Sequence, residues 1–279
     1  MTPPPVPVCA RHPRRETAVR CARCDRPACT DCLREASIGY QCVDCVAQGS
    51  RSGRRATTVA GAEPTGRSVV VPVLVAVNVA VYIVTAVYAG SLSHNEKAQL
   101  FQQWGLSPTE VAGGAWWRLV TSGFLHFGLL HLAFNMIALW VVGRDLEQVL
   151  GRTRFLIVYL VSLLGGSLAV FVFADVRSMT AGASGAVFGL FGGLAVVLLR
   201  MRRSPGPVLA IIAINVAISF APGLSISIFA HLGGLVFGTV VTAGMVYAPR
   251  DRRVAAQTVT VLALLAVIAV GILARDAQF

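Results

Sequence analysis

Residues 204–249 read SPGPVLAIIAINVAISFAPGLSISIFAHLGGLVFGTVVTAGMVYAP, without a single Asp, Glu, Lys or Arg. One crossing of a bilayer takes roughly 20 apolar residues, so this run predicts two crossings, 207–222 and 224–248. Pro222-Gly223 is the natural break between them. Working outward, charge-poor stretches also occupy 69–90, 121–143, 155–174 and 180–199 on one side and 254–274 on the other. At 55% hydrophobic residues and a mean hydropathy of +0.69 the chain is too apolar for an ordinary soluble domain. The expected fold class is an all-α polytopic membrane protein with seven spans. The N-terminus is Pro- and Cys-rich rather than the charged-then-apolar pattern of a signal peptide.

The formal charge of +11 belongs to the loops. Arg51, Arg54, Arg55 and Arg67 precede the first span, Arg144, Arg152 and Arg154 lie between the second and third, Arg200, Arg202 and Arg203 between the fourth and fifth, and Arg250, Arg252 and Arg253 between the sixth and seventh. Alternate loops are poorer in basic residues, with Lys97 and Arg118 in the first, Arg177 in the second and none between the fifth and sixth spans. This is the positive-inside distribution, which predicts a cytoplasmic N-terminus and an external C-terminus and removes the need for a nucleic-acid partner. Lys97 is the lone lysine among 24 basic residues, and Ala, Val and Gly abound, a composition that points to a GC-rich bacterial genome and a plasma-membrane protein.

All seven cysteines fall before residue 46, as Cys9-x2-His12, Cys21-x2-Cys24, Cys29-x2-Cys32 and Cys42-x2-Cys45. Four ligand pairs of this spacing imply two tetrahedral zinc ions, and an odd thiol count in a reducing compartment argues against disulfides. A segment this small buries little core, so metal would supply its folding energy. The stretch from Gln48 to Gly66 has no apolar periodicity and reads as a flexible basic linker beside the anionic leaflet. The expected organisation is a zinc-binding module at 1–47, a linker at 48–67, a six-helix core at 68–248 and an additional helix at 249–279.

Ionisable and nucleophilic groups inside the spans are costly in lipid and mark function when they coincide. On the seven-span count, spans two, four and six each enter from outside, which places His131 and Asn135 in the outer half of span two, Ser184 near the outer end of span four and His231 in the outer half of span six. Three groups distant in sequence therefore share one depth. His131 and Asn135, four apart, project from one helix face. Ser184 follows Gly182-Ala183 at a helix start, where free N–H groups can face developing negative charge. Gly185/Gly189 and Gly234/Gly238 form small-x3-small stripes that let spans four and six approach closely. Asn78 and Asn215 are expected to bond between helices, and His94 to be solvated.

Gly182-Ala183-Ser184-Gly185 with Gly189, His231-Leu232-Gly233-Gly234 with Gly238, His131 to Asn135, the pair Trp117-Arg118 and the upstream His126 together resemble the motifs of the rhomboid intramembrane serine proteases. The resemblance covers residues 69–248 and implies a rhomboid-like six-helix core, with the seventh helix and the zinc module as additions. It implies that Ser184 is the nucleophile and His231 the general base, without an acidic third member or a catalytic cofactor. It further implies an oxyanion hole of His131, Asn135 and the Ser184 backbone N–H, an aromatic Phe188 packed beside His231, and supporting roles for His126, Gly182 and Gly234. Glu147, at the family's offset after the His131–Asn135 motif, would tie down loops. The substrates implied are single-span membrane proteins cut in or near their membrane segments.

The cysteine module resembles a B-box or RING-like fold, which implies one site from Cys9, His12, Cys29 and Cys32 and another from Cys21, Cys24, Cys42 and Cys45; filling the pairs sequentially would satisfy the same ligands. Such a module suggests a cytoplasmic protein partner. Two other functions compete. A catalytically silent relative that binds membrane clients would normally lack Ser184 or His231. A proton-coupled transporter would need acidic partners inside the spans, and spans four to six hold none.

Overall fold

The computed structural model describes residues 5–52, 57–64, 66–220 and 226–279, so the expected Pro222-Gly223 break lies outside the described residues. The chain divides into two units, Met1–Ala56 and Thr57–Phe279.

In the first unit, β1 (Val8–Cys9) pairs antiparallel with β2 (His12–Glu16), and β3 (Leu33–Glu35) with β4 (Tyr40–Cys42), followed by α1 (Val43–Ser52). The buried apolar set here is nearly all cysteine, joined only by Ala28 and Leu33. Among the described residues no packed aromatic or aliphatic core forms here, as expected for so short a segment.

The second unit is helical: α2 (Val70–Ala89), α3 (Gln99–Trp104), α4 (Pro108–Ala112), α5 (Arg118–Thr121), α6 (Leu129–Leu150), α7 (Arg152–Phe173), α8 (Ser184–Arg200), α9 (Gly206–Ile218), α10 (Ile228–Val246) and α11 (Arg253–Asp276). Five of these, α2, α6, α7, α10 and α11, are long and apolar enough to cross a membrane, while α8 and α9 are shorter apolar helices of 17 and 13 residues. The seven expected spans thus map onto seven helices, but two of them fall short of the length a full crossing takes.

The second span is displaced from its expected 121–143. Residues 122–124 form a short 3-10 helix, His126 sits in the loop after it, and α6 instead continues through Arg144, Asp145 and Glu147 to Leu150. Hydropathy missed this because a buried carboxylate can be paid for locally. Glu147 is fully buried and accepts hydrogen bonds from the N–H groups of Val69 (2.7 Å), Val70 (2.9 Å) and Val71 (3.0 Å), and from the Ser68 hydroxyl. It caps the N-terminus of α2, whose own N-cap residue, Val69, has no side chain able to do so.

The expected 48–67 linker is also partly ordered. Helix α1 reaches Ser52, and Thr58–Ala62 forms a turn whose Ala60 is buried, with its carbonyl accepting from Gln257 Nε2 at 3.2 Å. Gln257 also donates to the Met245 carbonyl and accepts from Arg154, which fastens α11 to α10 and α7. A single amide therefore orders residues whose composition alone reads as unstructured.

Helix α8 is the centre of the bundle, buried without interruption from Gly185 to Gly193 and packed against α6, α7 and α10. Its contact with α10 is backbone to backbone. A Cβ on Gly234 would lie 1.9 Å from the Gly185 carbonyl oxygen, and one on Gly238 would lie 2.3 Å from Gly189 Cα. The two stripes read from the sequence face each other, and nothing larger than hydrogen fits between them.

Candidate functional site

Three helices present their N-terminal ends to one place. Ser184 is the first residue of α8, His131 the third of α6 and His231 the fourth of α10. The approach to Ser184 is irregular backbone. Gly182 has φ +133°, a value that side-chain-bearing residues rarely adopt, and its N–H donates to the Ser122 carbonyl at 2.9 Å. A Cβ on Gly182 would meet His131 Nε2 at 2.9 Å and Ser184 Oγ at 3.7 Å, so this glycine is the gap that lets the imidazole and the hydroxyl approach one another. Non-helical backbone at membrane depth survives where protein buries it, and Ala181 and Ala183 are both buried.

His231 is held from two directions. Its ring stacks on Phe188, one turn along α8 from Ser184, with centroids 4.0 Å apart and planes 11° from parallel. Its Nδ1 lies 3.0 Å from the hydroxyl of Ser219, the residue that caps α9. Among the described residues no hydrogen bond joins Ser184 Oγ to His231; in free enzymes such bonds are commonly long and tighten when substrate binds. His131 packs edge-on against His126 at 5.1 Å and parallel to Phe127 at 6.1 Å. Asn135 is buried and its amide donates to the His131 carbonyl at 2.9 Å, inside its own helix.

The segment between α2 and α6 is pinned above this centre. Arg118 is buried and donates to the carbonyls of Gln102 (2.7 Å) and Gly105 (2.8 Å) and to Glu110 (3.2 Å). Leu106 pairs with Thr180 in an isolated bridge two residues before Gly182. Arg118 thereby fixes the Gly105–Leu106 backbone, which in turn pairs with the loop leading to Ser184.

Ser184, His131, Asn135 and His231, which the sequence grouped by depth, thus lie together with Phe188, Gly182 and His126, which the resemblance added. Gly234 serves the α8–α10 contact one turn below His231. Asn215 differs from expectation: its amide donates to the carbonyl of Ile211, four residues back in its own helix, and among the described residues it bonds to no neighbouring helix. Asn78 likewise donates to the Leu74 carbonyl in α2, and its side chain also reaches the buried Tyr159 hydroxyl of α7, in line with the expected bond between helices. His94 is exposed and bonded to Glu96. Sequence reasoning passed over Ser219; its signal was the lone hydroxyl in the expected fifth span, at the end that leads into the span of His231.

In the first unit the donors fall into two groups, Cys9, His12, Cys29 and Cys32, and Cys21, Cys24, Cys42 and Cys45, each with ligand atoms within 4.8 Å of one another. The turn of the β1–β2 hairpin presents Cys9 and His12, and a 3-10 helix at Thr30–Cys32 brings in Cys32 behind Cys29. His12 Nδ1 stands 3.3 Å from Cys29 Sγ, 3.4 Å from Cys32 Sγ and 3.9 Å from Cys9 Sγ, while Cys24 Sγ and Cys42 Sγ are 3.8 Å apart. Four ligands around a zinc ion with bonds of about 2.3 Å would be separated by about 3.8 Å. The donor sets fit a tetrahedral metal, and all seven cysteines are free thiols. Backbone N–H groups already serve the sulfurs: that of Cys42 points at Cys21 Sγ from 3.2 Å and holds that thiol below its ordinary pKa.

A bundle of apolar helices around a hydroxyl, two facing imidazoles and a carboxamide defines a polytopic membrane protein with a buried polar centre. Residues 113–248, which include α6 to α10, match the family model described as the Rhomboid domain. The chain is 44% identical over 140 residues to Rhomboid protease GluP of Bacillus subtilis (strain 168), an alignment covering 48% of this chain and 27% of that protein. It is 27% identical over 219 residues to Rhomboid protease AarA of Providencia stuartii, covering 68% and 77% of the two chains. With Rhomboid-type serine protease 2 of Emericella nidulans it shares 32% identity over 143 residues, half of this chain and 28% of the relative. The chain therefore spans about a quarter of the length of two of these relatives and about three quarters of the third.

Proposed function

We propose that this chain is an intramembrane serine endopeptidase that cleaves single-span membrane proteins in or near their membrane segments. One observation carries the reading: Ser184 opens α8 beside His131 while His231 stacks one turn along the same helix. The names of the relatives, two rhomboid proteases and a rhomboid-type serine protease, support it.

Ser184 Oγ attacks the scissile carbonyl as His231 Nε2 accepts its proton. The carbonyl oxygen becomes an oxyanion facing the N–H of Ser184 at the start of α8 and the side chains of His131 and Asn135. His231 then delivers the proton to the leaving amine, and water, activated by the same imidazole, hydrolyses the acyl-enzyme. The Asn135 amide has two N–H donors, of which the His131 carbonyl takes one, leaving the other for the oxyanion. Removing either side-chain donor lowers the rate on the order of a hundredfold or more.

A substrate helix must unwind to expose its carbonyl, so helix-breaking residues flank the cut. The arginine distribution supports seven crossings, with the N-terminus cytoplasmic and the site opening externally, and the lysine-poor composition supports a bacterial plasma membrane. The first unit holds two structural zinc ions, one on Cys9, His12, Cys29 and Cys32 and one on Cys21, Cys24, Cys42 and Cys45, and engages a cytoplasmic protein partner. Catalysis itself uses no cofactor.

The test is reconstitution of the full chain into liposomes with a single-span substrate bearing a Gly- and Ala-rich membrane segment. Cleavage by wild type that is lost in Ser184→Ala supports the reading. Equal cleavage by both would exclude it, and retention of substrate binding without cleavage by well-folded wild type would favour a client-binding protein.

A further inference from the structure

Ser219 belongs to none of the motifs on which the dyad rests, yet its hydroxyl makes the one hydrogen bond recorded to the His231 ring among the described residues, 3.0 Å from Nδ1. The same hydroxyl donates to the Asn215 carbonyl at 2.9 Å, the back-bond that serine commonly makes to the residue four earlier in an apolar helix. A hydroxyl has one proton and two lone pairs. With its proton committed to Asn215, Ser219 Oγ offers only a lone pair to His231, and Nδ1 must carry the hydrogen between them. A neutral imidazole protonated at Nδ1 has its free lone pair on Nε2. That is the tautomer a general base needs to take the Ser184 proton.

We propose that Ser219 is a positioning residue that fixes His231 as the Nδ1–H tautomer, in the place a carboxylate holds in a serine–histidine–acid triad. The inference rests on the proposed dyad. No Asp or Glu lies in α8, α9 or α10 to fill that place. The hydroxyl fills it without a charge that would have to be desolvated. Phe188 and Ser219 constrain different motions of the ring. Stacking on Phe188 sets its plane, and the hydrogen bond to Ser219 sets its rotation within that plane. The bond also ties the end of α9, whose neighbours Ile218 and Phe220 are exposed, to the general base.

The experiment uses the full chain in detergent, labelled with 15N-histidine, as wild type, Ser219→Ala and Ser219→Thr, with His231→Ala to assign the resonance. Tautomer is read from the ring-nitrogen shifts, and reactivity from the saturable labelling of Ser184 by a fluorophosphonate. Wild type is expected in the Nδ1–H form and Ser219→Ala as a mixture; kinact falls about 10- to 100-fold in Ser219→Ala while KI stays within about twofold, and threonine restores most of the loss. Either an Nε2–H tautomer in wild type, or Ser219→Ala with unchanged tautomer and kinact, overturns the assignment. Because the tautomer is read without turnover, this failure is distinct from failure of the dyad, which would show as wild type that never labels at Ser184.

Discussion

In residues 5–52 eight thiol and imidazole side chains stand where a hydrophobic core would otherwise be, whereas in the helical unit the polar centre is placed by glycines that bring backbones into contact. Chelation tolerates a small and poorly packed frame because each ligand bond is directional and strong. Packing has no such bond to rely on, so the position of His231 depends on Gly185, Gly189, Gly234 and Gly238 leaving no slack, and on Phe188 and Ser219 at the ring itself. Positions fixed by chelation are visible as residue types. Positions fixed by packing are visible mainly as spacings.

The comparison predicts that the two units fail separately. Stripping metal with a strong chelator should unfold the cysteine unit outright, since metal binding supplies about 10–16 kcal/mol in comparable zinc modules. Limited proteolysis mapped by mass spectrometry should then open cut sites between Cys9 and Cys45 and none inside the helices, with serine labelling unchanged. Loss of labelling on chelation would break the separation. The next largest effect belongs to the glycine contact. Gly234→Val puts a side chain onto the Gly185 carbonyl, and thermal unfolding in detergent should show a loss of about 3 kcal/mol or more together with most of the activity.

Glu147→Ala leaves the first N–H groups of α2 without their acceptor and should cost about 1–3 kcal/mol by the same assay. Its effect on rate should follow the loss of folded protein, because Glu147 caps α2 and bonds to no residue of the polar centre. Smallest of all, Asn215→Ala should change stability by no more than about 0.5 kcal/mol, since among the described residues that exposed amide bonds only to Ile211 in its own helix. A large loss there would restore the role between helices that its sequence position suggests.

Much of this was legible in the sequence. The seven apolar helices, the two groups of thiol and imidazole side chains and the convergence of His131, Ser184 and His231 follow from charge-free runs, two-residue spacings and loop arginines. The facing stripes Gly185/Gly189 and Gly234/Gly238 were legible because close approach demands glycine and leaves a period of four. The unreadable parts depend on partners far away in the chain. Nothing near Glu147 tells that Val69, Val70 and Val71 need an acceptor, so the hydropathy window ended span two too early. Gln257 orders Ala60 across most of the chain, which made 48–67 look unstructured throughout. Ser219 is one hydroxyl among several in apolar helices, and only the position of His231 Nδ1 distinguishes it.

The central claim is that Ser184 is activated by His231, an imidazole held in place by packing and a neutral hydroxyl with no acidic partner. Its most direct test is fluorophosphonate treatment of the detergent-purified full chain, with the adduct located by mass spectrometry in wild type and His231→Ala. The account predicts one adduct, on Ser184, with labelling reduced at least about a thousandfold in His231→Ala. An unlabelled but folded wild type, or equal labelling of Ser184 in both proteins, would contradict it.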